Sequence, residues 1–137
     1  MSYSRHKCRE HALQCLYQQE IVTPAEREGI DNFLNQLEAP QEALVFTQSL
    51  ILGTLEHRSA IDKILKENME KWRLERLSIL VRNLLRLSVY EMNFSTETPY
   101  EVVIDESVTL AKDFVDDIAR SFVNKVLQNI HDHSLSP

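Results

Sequence analysis

Along most of the chain, apolar residues recur at spacings of three and four, the period of an α-helix with one buried face. From Arg5 to about Glu20 these positions are Cys8, Ala12, Cys15 and Leu16, with Ser4 placed to cap the helix. Thr23-Pro24-Ala25-Glu26 has the form of a capping box with proline at the first helical position. It predicts a second helix through Ile30, Phe33, Leu34 and Leu37. After Ala39-Pro40 a third helix is expected from about Gln41 to Glu56, carrying Leu44, Phe46, Leu50, Ile51 and Leu55. Its interior Gly53 lowers helix propensity, so a close helix-helix approach is the expected reason for it.

A shorter fourth helix follows through Ile61, Ile64 and Leu65. The fifth, from about Ser78 to Phe94, is apolar nearly all round at Ile79, Leu80, Leu84, Leu87 and Tyr90, which marks it as the central helix. Thr98-Pro99-Tyr100-Glu101 repeats the capping-box chemistry and predicts a sixth helix, capped by Thr98, to about Asp113. A last helix from about Ala119 to His131 places Phe122, Val126 and Ile130 on one stripe, with residues 132–137 as a frayed tail. No stretch alternates with a period of two. The pattern predicts an all-α protein of about seven helices, residues 1–137 forming one domain.

Composition agrees with this. Of 137 residues 43% are apolar and 26% charged, a globular balance that sustains one core. Two glycines and four prolines leave little material for tight turns and exclude a glycine-rich phosphate loop. Cys8 and Cys15, seven apart on one helix, lie roughly 10 Å apart by helical rise, beyond the reach of a disulfide. Free thiols, no basic-apolar leader and no long apolar run together predict a cytoplasmic protein.

The net charge of −6 argues against indiscriminate nucleic-acid binding, so any RNA contact has to be local. Basic residues form two islands, Arg5, Lys7 and Arg9 at the start and Lys71, Arg73, Arg76, Arg82 and Arg86 in the middle. Residues 87–119 are acidic, with Lys112 as the one exception. Either run can be a solvated helix face; the polarity also suits a protein that holds RNA on one surface and a basic protein on another.

No arrangement for catalysis emerges. The five histidines make no His-Glu-x-x-His pair, there is no Cys-x-x-Cys, and a nucleophile elbow and a Walker motif are missing. Adjacent acids such as Asp105-Glu106 point in different directions on a helix. No metal, cofactor or enzymatic activity is expected. Trp72, Tyr90, Phe94 and Phe114 fit core or rim positions better than stacking platforms. Arg86, within Leu84-Leu85-Arg86-Leu87, requires a carboxylate, for which Glu91 and Glu106 are the candidates.

The first helix departs from simple packing. Arg5, His6, Lys7 and Arg9 crowd its first turns, where cations face the positive end of the helix dipole, and a polyanion would explain the cluster. Tyr17 fits the core by default, with its ring edge as a lesser candidate for ligand contact.

Several segments carry a family resemblance: Arg5-x-x-Cys8-Arg9-x-x-Ala12-x-Gln14-x-Leu16-Tyr17, Trp72-Arg73-Leu74-Glu75-Arg76-Leu77, Leu84 to Glu91, Pro99 to Glu106 with Leu110-Ala111-Lys112, and Phe122-Val123-Asn124. Together they resemble the NusB transcription antitermination family from about residue 5 to 130. The resemblance implies two small helical bundles sharing one core. It also implies a non-enzymatic RNA-binding adaptor in bacterial transcription, holding boxA-type single-stranded RNA together with the ribosomal protein NusE, and acting on RNA polymerase indirectly in ribosomal RNA operons. By resemblance the RNA-binding residues are Arg5, His6, Lys7, Arg9, Phe122 and Asn124, His6 and Lys7 standing where arginines are frequent. Phe122 fits core packing equally well, and Val115 to Ala119 lacks the family's glycine. Two alternatives stand beside this. One is the NusB-like module of a ribosomal RNA cytosine-5 methyltransferase, for which a cofactor loop and catalytic cysteine are not found after Leu127. The other is a helical homodimer that buries the basic start.

Overall fold

The computed structural model describes residues 4–22, 27–69, 73–95 and 97–134. Seven α-helices run through them: α1 Arg5–Ile21, α2 Arg27–Asn35, α3 Gln41–Glu56, α4 Arg58–Glu67, α5 Ile79–Val89, α6 Tyr100–Phe114 and α7 Asp117–Ser134. A 3-10 turn at Leu74–Arg76 precedes α5, and a π turn at Tyr90–Phe94 continues it. No strand occurs among the described residues. The capping box at residues 23–26, Lys71 and Trp72 lie outside them.

Helix α5 sits in the middle, packed on α1, α3 and α4 from the N-terminal half and on α6 and α7 from the C-terminal half. It therefore joins an N-terminal and a C-terminal bundle into one core. Leu84, Leu85, Leu87 and Val89 are buried, and each side chain of this kind taken from water stabilises the fold by about 1.5–3 kcal/mol. Hydroxyl caps begin two helices: Ser4 Oγ accepts from the Lys7 amide at 3.1 Å and Ser78 Oγ from the Val81 amide at 3.2 Å. Each satisfies an amide that lacks a partner within its helix.

Gly53 on α3 faces Tyr90, and a Cβ there would lie 2.1 Å from Tyr90 Cζ. The close approach expected of this glycine is real. Cys8 and Cys15 are free and buried, and burial pushes the Cys15 thiol up to about 12, which leaves it unreactive.

Four expectations are corrected. Arg86 pairs with Asp62 of α4 at 2.8 Å and lies 3.5 Å from Glu20 of α1, and not with Glu91 or Glu106. Around Glu20, burial works against ionisation, but hydrogen bonds from Arg82 and Asn83 and the charges of Arg82 and Arg86 outweigh it and hold the carboxyl below its ordinary value. Thr98 does not cap α6: the cap is Pro99, whose carbonyl accepts from the Val102 and Val103 amides at 3.1 and 3.2 Å. Helix α7 begins two residues early, with the Asp116 carboxylate accepting from the Ala119 amide at 2.7 Å, and continues to Ser134. Its buried stripe is Ala119, Val123, Val126, Leu127 and Ile130, so Val123 takes the place expected of Phe122.

Candidate nucleic-acid interface

The basic start of α1 is less naked than its sequence. Arg5 lies 3.6 Å from Glu97, Lys7 lies 3.1 Å from Glu10, and His6 contacts Glu106 directly and Glu10 at 3.6 Å. Carboxylates from α1, from α6 and from the residues leading into α6 thus offset the repulsion between these cations and the helix dipole. Arg5 and Lys7 nevertheless remain exposed, at 59% and 53%, and water weakens pairs of this kind enough for a phosphate to displace the carboxylate.

Arg9 is placed differently from its neighbours. Its side chain is 5% exposed and grips the Glu91 carboxylate with two bonds, Nε to Oε2 at 2.8 Å and Nη2 to Oε1 at 3.0 Å. The Thr98 hydroxyl accepts a weaker third contact from Nη2 at 3.5 Å. With its fork occupied and buried, Arg9 ties α1 to the π turn after α5, and the exposed cations there are Arg5 and Lys7.

One turn further along α1 runs a groove of about 680 Å³. Lys7, Glu10, His11, Gln14 and Tyr17 line it from α1, Ile79 and Leu80 from the start of α5, and Phe114 and Val115 from the corner between α6 and α7. Its floor is apolar, with Leu13 among the lining residues. Tyr17 is 37% exposed and Phe114 49%, unusual for rings on a globular surface, and both border the same opening. Burial, reinforced by the charge of Lys7, keeps the pKa of His11 below its ordinary value against opposing effects of Gln14 and Glu10.

Phe122 is half-buried and packs against the core, whereas Asn124 is exposed on α7. The groove brings Lys7 together with side chains that sequence reasoning passed over or assigned to the core: His11, Gln14, Leu80, Phe114 and Val115. Only their exposure distinguishes them, and helical periodicity carries no sign of it. Three further histidines do not line the groove: His131 stacks on Tyr100 with centroids 3.4 Å apart, His133 hydrogen-bonds Asn68, and His57 Nδ1 donates to the Gly53 carbonyl at 2.9 Å.

The NusB family model matches residues 6–132. The transcription antitermination protein NusB of Bacillus cereus strain B4264 is 42% identical over 129 residues, covering 93% of this chain and 97% of that protein. Among solved structures, NusB of T. maritima superposes with a TM-score of 0.88 at 32% identity, over 96% of this chain and 93% of the other. A chain from a crystal structure of the antitermination factors NusB and NusE in complex with dsRNA gives a TM-score of 0.84 at 26% identity, over 94% and 96%.

Proposed function

The chain belongs to the NusB family, and on that footing we propose that it is a non-enzymatic RNA-binding adaptor of transcription antitermination, working with NusE in the cytoplasm. The observation that carries the RNA-binding reading is the groove on α1. Two exposed rings, Tyr17 and Phe114, border an apolar cleft beside the exposed ammonium of Lys7. Stacking surfaces next to a cation suit unpaired bases and their phosphates, whereas a duplex keeps its base faces covered. The ligand proposed is therefore single-stranded, boxA-type RNA. Arg5, His6 and Lys7 meet its backbone, the groove takes one or two bases, and Phe122 and Asn124 extend the surface onto α7.

No bond is made or broken in this mechanism. The protein contributes binding energy shared between RNA and a basic protein, and polymerase feels the assembled complex indirectly. With carboxylates beside Arg5, His6 and Lys7, RNA affinity of the isolated protein is modest, and NusE supplies the missing positive charge.

The experiment is a titration of labelled single-stranded boxA-type RNA against the wild type, Tyr17→Ala and Phe114→Ala, with a duplex of the same sequence as comparison. A stacked base is worth about 1–3 kcal/mol, so each alanine should weaken single-strand binding at least about fivefold and leave duplex binding unchanged. Full affinity in both variants would move the RNA away from this groove. The exposed apolar side chains of Tyr17, Phe114 and Val115 around the groove also favour a second reading, a homodimer closed over it. A doubled molecular mass in solution that RNA abolishes is its signature.

A further inference from the structure

Phe46 belongs to α3, yet two cations of α1 converge on its ring. Arg5 Cζ stands 4.0 Å from the ring centroid and Arg9 Cζ 5.6 Å. Arg9 is locked there by its buried pair with Glu91, and Phe46 itself packs against the core, so the ring is held from beneath. Arg5 has no such lock. At 59% exposure, with Glu97 3.6 Å away, it would otherwise sample many rotamers, and a ligand using it would bear the entropy of ordering it. A ring under the guanidinium removes part of that cost before the ligand arrives, because a planar cation is attracted to a π face within about 6 Å. Stacking covers the face of the guanidinium and leaves its N–H donors in plane, the geometry in which a phosphate accepts two of them.

We infer that Phe46 is a positioning residue, a shelf that holds Arg5 ready for an RNA phosphate while the Glu97 carboxylate stands 3.6 Å from the guanidinium in the free protein. The inference rests on the reading that the start of α1 contacts RNA. It adds a helix to the RNA site that supplies no atom to the nucleic acid. It also makes Glu97 a competitor that RNA has to displace.

The test is a titration of labelled single-stranded boxA-type RNA against the wild type, R5A, F46L, F46Y, E97Q and the double variant R5A/F46L, each below its melting range. Loss of a partly exposed cation-π contact should weaken binding about two- to fivefold in F46L, and the ring retained in F46Y should preserve it. E97Q should bind more tightly than the wild type. In the R5A background the F46L change should have no further effect. If R5A weakens binding while F46L does not, or if F46L is as harmful without Arg5 as with it, the role assigned to Phe46 is overturned and the RNA site stands. If R5A itself binds as the wild type does, Arg5 makes no RNA contact and the role assigned to Phe46 falls with it, while the groove reading is decided separately by Tyr17→Ala and Phe114→Ala.

Discussion

Replacing Glu91 by glutamine tests the assignment of Arg9 to the fold rather than to the ligand. The change keeps the shape of the side chain and removes its charge, leaving a guanidinium whose side chain is 5% exposed against a neutral amide. At about 4 Å and an effective dielectric of about 20, the lost attraction is roughly 4 kcal/mol. That agrees with the cost of about 3–5 kcal/mol seen when one partner of a buried pair is removed. For a chain of this length each kcal/mol corresponds to roughly 3–4 °C in Tm, so E91Q should melt about 10–20 °C lower. The double variant Arg9→Met/Glu91→Leu, which removes both charges and keeps the volume, should recover most of the loss. Thermal melts followed by circular dichroism decide it. A drop of less than about 3 °C in E91Q would mean that water reaches Arg9, and the guanidinium would return to the list of RNA contacts.

Further consequences concern the helix ends, the close contact at Gly53 and the Glu20 network. Asp116→Ala should lose about 1 kcal/mol in chemical denaturation through the Ala119 amide, whereas Thr98→Ala, which removes no cap, should lose less than half of that. Gly53→Ala should lose about 1–3 kcal/mol because its new methyl meets the Tyr90 ring, and the same change made in a Tyr90→Ala background, where that space is open, should lose less. The folded pKa of Glu20 lies below its unfolded value, so its contribution is fully present above the ordinary carboxyl range and is lost as pH falls through that range to the folded pKa. Melts between pH 7 and pH 3 should show a steeper acid loss in the wild type than in E20Q; equal slopes would contradict the network.

Helix order and the central place of α5 are legible in the sequence because a three-to-four period reports burial directly. Caps are legible only in part. Ser4 accepts from an amide of the first turn as expected, whereas the cap at Ser78 is not anticipated, and at Thr98 the helix starts one residue later, and its hydroxyl turns to Arg9. Long-range pairing is where local reasoning stops. A charge inside Leu84-Leu85-Arg86-Leu87 demands a carboxylate, yet the candidates near in sequence were already taken, Glu91 by Arg9 and Glu106 by His6. The partners came from α1 and α4, which only the packing of helices brings alongside. The site divides in the same way. Sequence places the cations at the start of α1, while the groove depends on three separate elements meeting. Phe114, which fits a core or rim position by pattern, becomes a half-exposed wall only because the chain turns into α7 directly after it.

The adaptor reading depends most on coupling between the two ligands. Calorimetric titration around the full cycle, with labelled boxA-type RNA added to the protein alone and to the protein saturated with NusE, measures that coupling. NusE should tighten RNA binding by about 1–3 kcal/mol, and RNA should tighten NusE binding by the same factor. RNA affinity that is identical with and without saturating NusE would contradict the adaptor reading.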